Sequence, residues 1–305
     1  MIVLLTLSAA SAQPLASIPT NDSKIVRRWA LPGDPHGIAI GADGTVYVGL
    51  AQPQAVVAVD PSRGTIRKRV VLDSAEIAAT KELVSLRTNA DRTRLYIANG
   101  SDESATILAL PDMTILREIT IEGEPIRDAL PDPSGHYLYL LGHRVHVYDA
   151  NGNEELHTIE IDDPSAIAAT STQLAVMAAG RATIFNTSDF REARSFAVGK
   201  GIEAALFAGR SLVVLGRDAL NRVGQSVEPI CLPNGSGPQI ATETADGLVL
   251  LAERRCNSSA VYSAASLYGV DAYAIAYDAA QNLLYTTERA GYLTIYRVPK
   301  PALAK

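Results

Sequence analysis

One pattern recurs along this chain about every 33 to 48 residues, and it restricts the fold more than any other feature. It reads as a Pro-x-Gly start, a short apolar run, an Asp-Gly turn, a Tyr-containing run and two further apolar runs. The cleanest copy begins at Asp34-Pro35-His36-Gly37-Ile38-Ala39-Ile40, turns at Ala42-Asp43-Gly44 and continues as Thr45-Val46-Tyr47-Val48-Gly49. Ala55 to Asp60, a Pro61-Ser62-Arg63-Gly64 turn and Thr65 to Leu72 complete it. Gly, Pro and Asp at the bends, between alternating apolar runs, specify four antiparallel strands. Later copies carry Leu95-Tyr96-Ile97, Asp132-Pro133-Ser134-Gly135 before Leu138-Tyr139-Leu140, Ala245-Asp246-Gly247 before Leu248-Val249-Leu250, and Leu283-Leu284-Tyr285. First strands start near residues 36, 84, 127, 165, 203, 239 and 273, which makes seven units.

A four-stranded sheet of this size cannot bury both faces alone, whereas sheets stacked radially about an axis cover one another. The sequence therefore predicts an all-β, seven-bladed β-propeller with four-stranded blades, occupying 24–300 as one domain. The last unit supplies only three strands before a 301–305 tail. An open edge there invites aggregation. Ile25-Val26-Arg27-Arg28-Trp29-Ala30-Leu31 has strand character and is predicted to close the last blade from the N-terminal side.

The Pro35-His36-Gly37-Ile38 start, the Asp-Gly turn and Leu95-Tyr96-Ile97-Ala98-Asn99 resemble the YVTN-type repeats of exported bacterial propellers. Those repeats are similar to blades of seven-bladed lactonase-like propellers and of amine-dehydrogenase propeller subunits. The resemblance spans nearly the whole chain and is sharp in units one to three and seven. It implies a WD40-like architecture, outside the cytoplasm, without naming a chemistry, because one scaffold hosts unrelated activities.

Residues 1–12 read as a signal peptide: Ile2 to Leu7 is apolar and Ala10-Ser11-Ala12 offers small residues before Gln13, although no Lys or Arg precedes the run. Residues 13–23 read as a linker. No continuous run approaches the ~20 apolar residues of a membrane span, so a periplasmic or secreted monomer is expected. A net charge of -6 and a pI near 5.4 argue against nucleic acid as a partner. In an oxidising compartment the two cysteines, Cys231 and Cys256, are expected to form a disulfide. It would close a loop of about 26 residues, contributing roughly 3.5 kcal/mol.

Ligands of propellers meet the mouth of the central channel, where innermost strands begin. Register places His36, Val84, Arg127, Ser165, Glu203, Gln239 and Tyr273 there. An imidazole, a guanidinium, a carboxylate, an amide and a phenol at one mouth suit a small polar ligand or a partner's side chain. They are also what any solvent-filled channel mouth carries. His36 is the candidate general acid or base, and Arg127 with Glu203 the candidate zwitterion or ion-pair couple. The mouth offers one carboxylate, and His143 and His146 straddle a hairpin turn, so no metal or other cofactor is expected. Arg87, Arg92 and Arg94 read as a solvated basic patch. Nucleophile elbow, P-loop and dinucleotide motifs are absent. Three functions follow in order: a binding or scaffold propeller for a protein or small polar ligand, a lactonase-like or lyase-like enzyme using His36, and a subunit of a periplasmic redox assembly.

Overall fold

The computed structural model describes residues 12–52, 54–72, 84–100, 103–216, 220–231, 240–243, 249–252 and 272–298. Turn chemistry divides them into short antiparallel strands, and every described sheet is antiparallel throughout. The leading segment contributes β1 (Gln13–Pro14) and β2 (Ile25–Ala30). Blade one is β3 (Pro35–Ile40), β4 (Val46–Ala51), β5 (Gln54–Asp60) and β6 (Thr65–Val71). Blade two is β7 (Val84–Thr88), β8 (Arg94–Asn99), β9 (Ser104–Ala109) and β10 (Thr114–Thr120). Blade three is β11 (Asp128–Pro131), β12 (Tyr137–Leu141), β13 (Val145–Asp149) and β14 (Glu155–Ile159). Blade four is β15 (Ala166–Ala169), β16 (Gln173–Ala178), β17 (Arg181–Asn186) and β18 (Glu192–Ala197). Blade five is β19 (Ile202–Ala208), β20 (Ser211–Gly216), β21 (Leu220–Val223) and β22 (Val227–Cys231). A two-stranded ladder, β23 (Ile240–Glu243) with β24 (Val249–Ala252), follows. The last blade is β25 (Ala272–Asp278), β26 (Leu283–Glu288) and β27 (Tyr292–Arg297), with β2 as its outer strand.

The fold is an all-β propeller, and the blade count among the described residues differs from the seven expected. Six blades are complete among the described residues, and the unit expected from 239 onward has two described strands. Its remaining residues lie outside the described set, as do Gln239, Cys256 and the side chain of Cys231. Strand starts follow the repeat closely: the first strands of the six blades and the ladder begin at 35, 84, 128, 166, 202, 240 and 272. No helix among the described residues is long and apolar enough to cross a membrane.

Blades bury each other's faces, as period-two patterning with apolar residues on both sides requires. Tyr47, Val56 and Ala58 of blade one pack on Leu86, Leu95 and Ile97 of blade two. Equivalent cores join blades two and three through Tyr96, Ile107 and Leu138, and blades three and four through Tyr139, Val147 and Val176. The ring closes where Ile38, Val48 and Val57 of blade one meet Trp29, Tyr285, Leu293 and Ile295 of the last blade. Trp29 reaches across that seam, its Nε1 donating to the Pro61 carbonyl at 3.0 Å. The stretch before β2 is engaged there too: Gln13 and Pro14 pair with Ile66 and Thr65 as a fifth strand of blade one, and Ser17 bridges Trp29.

Asp60 holds the turn between the two outer strands of blade one. Asp60 accepts from Ser62 Oγ at 2.6 Å and from Arg67 Nη2 at 2.6 Å. Burial works against its charge, but these hydrogen bonds and the nearby guanidinium win, holding the carboxyl at about 2. A carboxyl depressed in the folded state stabilises fully above its unfolded value of 3.8, and that contribution fades as pH falls toward about 2. Arg67 is half exposed, which screens the pair, so the stabilisation is on the order of 1–2 kcal/mol. Asp60→Asn is therefore expected to be that much less stable than the parent in urea melts at pH 6. The two proteins should converge as pH approaches 2; a gap that persists unchanged to that pH would show that charge is not the cause.

Candidate functional site

At the face where innermost strands begin, the sequence reads simply as a rim of polar residues. Local register makes some of these positions special. β3, β19 and β25 each open with a shift in pairing: between Pro35 and Ile38, Ile202 and Ala204, and Ala272 and Ala274. His36, Glu203 and Tyr273 occupy those shifts, whereas β11 and β15 begin in regular register. A bulge bends its strand and re-aims the extra side chain.

Two of these residues are brought together at the closing seam. The His36 and Tyr273 rings stack with centroids 4.1 Å apart and planes 20° from parallel. His36 is 2% exposed. Its Nε2 lies 3.5 Å from Asp34 Oδ2, and Thr287 donates its hydroxyl to the His36 carbonyl. On the other side of the stack the Arg289 guanidinium sits 4.4 Å from the Tyr273 centroid. The result is an ordered column, imidazole under phenol under guanidinium, running from the interior to the surface. A cleft of about 440 Å³ opens beside it, lined by Gly33, Asp34, Gln52, Tyr273 and the Arg289 to Gly291 turn. Gly33 is required by geometry: at φ 109° a Cβ would stand 2.5 Å from the Gln52 carbonyl oxygen. The Leu31 amide donates to the Gly291 carbonyl at 2.9 Å, tying the residue after β2 to the turn between β26 and β27.

Among the described residues, Arg127 and Ser165 bond elsewhere. Arg127 Nη2 donates to the carbonyls of Gly142 and Pro164, at 2.5 and 2.7 Å, and contacts Asp163 at 3.3 Å. It joins blade three to the loop leading into blade four rather than facing Glu203 as a couple. The Ser165 hydroxyl donates to the Met177 carbonyl at 3.3 Å. Glu203 is exposed on β19. Of the described members of the expected ring, His36 and Tyr273 come together at the seam, while Arg127 and Ser165 bond to backbone of blades three and four; Gln239 and the Val84 side chain lie outside the described residues.

Two polar clusters went unseen in the sequence. Arg87, read there as part of a solvated patch, meets Asp128 of the next blade through Nη2 at 3.0 Å and Nε at 3.2 Å. Ser85 donates to the same carboxylate at 2.5 Å. Burial pushes the Asp128 carboxyl up, but Arg87 and these donors outweigh it and hold it below its ordinary value. His146 lies between two carboxylates, with Nδ1 2.8 Å from Glu155 and Nε2 3.1 Å from Glu124. No group of three or more His, Cys, Asp and Glu side chains among the described residues is placed to hold a metal.

The chain is similar to the β-propeller domain of Cps50 (Swd1) from Myceliophteria thermophila, known from a crystal structure. Sequence identity is 14%, the TM-score is 0.68, and the match covers 94% of this chain and 100% of that one. At this identity the likeness establishes the fold alone. No protein-family model matches the chain, and no curated protein matches it.

Proposed function

We propose that this protein is a recognition propeller that binds a protein partner or small polar ligand at the face where its innermost strands begin. The carrying observation is the column of His36, Tyr273 and Arg289 beside a cleft formed by both ends of the chain. Aromatic stacking fixes the guanidinium before any ligand arrives, which lowers the ordering cost of binding. Catalysis is the weaker reading. A general acid or base must reach its substrate, and His36 is enclosed by its own blade, Tyr273 and Asp34. Arg127 is already engaged by three oxygens.

We also propose that β23 and β24 are the inner half of a seventh blade, as the resemblance to YVTN-type repeats implies. Its support is the packing of β23 against both β19 and β25, first strands of the blades on either side.

A thermal-shift screen of lactones, sugars, amino acids and divalent ions tests the binding reading. At least one compound is expected to raise the melting temperature of the parent and to lose its effect in Tyr273→Ala. Shifts that are all indifferent to Tyr273→Ala would move the site away from the seam.

A further inference from the structure

In the six blades complete among the described residues, second and third strands pair in regular register. The pairing of third with outer strand is interrupted in every one of them. Each time the outer strand has one residue more than its partner: Arg67 in β6, Leu116 in β10, Leu156 in β14, Ala193 in β18, Ile230 in β22 and Val26 in β2. Five of these are exposed, Leu116 and Leu156 by about half, and the Ile230 side chain lies outside the described residues. Such dissimilar residues share a backbone role, not a side-chain one. The consequence lies at the edge. Outer strands present unpaired N–H and C=O groups on which another strand can form. A strand in register on one side of a bulge is out of step on the other, with its side chains on the wrong faces. The uninterrupted run is therefore Arg117 to Thr120 in β10 and Lys68 to Val71 in β6. Blade one shows the limit: β1 pairs with Thr65 and Ile66, and Ala12, which would face Arg67, is outside the strand.

We propose that these bulges guard the perimeter, keeping the outer strand of a second copy of this chain from adding to a blade. Two edges have a further guard. β1 covers the beginning of β6, and Pro229 has no N–H to offer from β22. β10 has neither, and Ile115, beside its extra residue, is 56% exposed. It is the edge that depends most on its bulge. Without Leu116, Thr114 and Ile115 would run straight into Arg117 to Thr120. That regular edge reaches the usual length of a paired strand, about 5–6 residues. A rival reading makes Leu116 and Leu156 an apolar contact surface for another copy. The two readings predict opposite signs, because deleting the residue straightens the edge and removes apolar area at once.

Sedimentation velocity of the full chain over a wide concentration range, beside circular dichroism and thermal melts, tests this. The chain lacking Leu116 is expected to keep the parent's spectrum and a cooperative melt. It should self-associate at a concentration at least about tenfold lower than the parent does. The chain lacking Leu156 should do the same through β14. Leu116→Ala keeps the extra residue and removes the exposed side chain, and should associate no more than the parent. Adding Ile115→Lys to the Leu116 deletion should return it toward the parent, since charge on an edge opposes pairing. A folded Leu116 deletion that sediments as the parent does would overturn the guard. So would association of the parent that weakens alike in Leu116→Ala and in the deletion, which assigns the leucine to a contact surface. Failure of both deletions to fold would overturn it too, placing the bulge among the requirements for building a blade.

Discussion

Gly64→Ala is expected to destabilise the protein by about 2–5 kcal/mol, far beyond what a turn glycine ordinarily contributes. Gly64 has φ 65°, a left-handed conformation that costs any residue with a Cβ about 1–2 kcal/mol. Many turns tolerate that much. Here the added Cβ would also stand 2.5 Å from two carbons of the Trp29 ring. Trp29 cannot simply swing away, because it is 7% exposed, donates to Pro61 and packs within the core that closes the ring. Forcing extra volume into such a site typically costs about 1–3 kcal/mol more. Gly135 supplies the control, with φ 77° and nothing within 4 Å of an added Cβ. Gly135→Ala should show the backbone penalty alone in urea melts. The excess in Gly64→Ala should disappear when Trp29→Ala is the background, since contacting residues couple. A Gly64→Ala protein no less stable than Gly135→Ala would mean that the ring and the turn do not touch.

Why the repeat was readable and the cleft was not follows from where each is encoded. Blade strands are local. A turn such as Ala42-Asp43-Gly44 announces itself, because Asp43 accepts from the Thr45 amide at 3.0 Å and Gly44 takes φ 78°. Apolar runs on either side then fix strand starts to within a residue. The closing role of Ile25 to Ala30 was also legible, from an unfinished last unit and a spare strand at the other end. β1 was not: two residues, one of them Pro, carry no period, and Pro is admissible only because it lies on an edge. The cleft is non-local. His36 and Tyr273 were visible as first-strand residues, but Arg289 lies in a turn that the repeat leaves free to vary. Asp34 and Gln52 come from two further loops of blade one. Arg127 was expected at the mouth, yet its two shortest contacts are to the backbone carbonyls of Gly142 and Pro164, which no residue type advertises. The Glu124–His146–Glu155 cluster draws on positions 22 and 9 residues apart in sequence, with no spacing rule to join them.

A chain beginning at residue 32 is expected to lose most of its stability, and this is the largest effect the structure implies. The cut removes the whole outer strand of the last blade. Trp29 and Leu31 leave the seam core, and Trp→Ala alone at a buried site costs about 3–5 kcal/mol. The strand pairing from Ile25 with Tyr296 to Ala30 with Tyr292 disappears, exposing β27 as an open edge. Polar groups are stranded as well. Arg28 lies 3.4 Å from Glu288 Oε1 and donates to Thr294 Oγ1 at 3.0 Å; Glu288 is 7% exposed and also accepts from Tyr296. Without Arg28 a buried carboxylate is left without its cation, a loss of about 3–5 kcal/mol where burial is complete. Domains of this kind hold about 5–15 kcal/mol in total, so these losses together consume most of it. Circular dichroism and gel filtration should find the truncated chain unfolded or aggregated at 25 °C. Because β2 joins the last blade only through pairing and packing, a synthetic peptide of residues 13–31 is expected to restore a cooperative melt when added in excess. Arg28→Ala in the intact chain should show the polar part of the loss alone. A truncated chain that melts with the parent would remove the closing strand from the stability of the ring, and with it the reason for placing a ligand site at that seam.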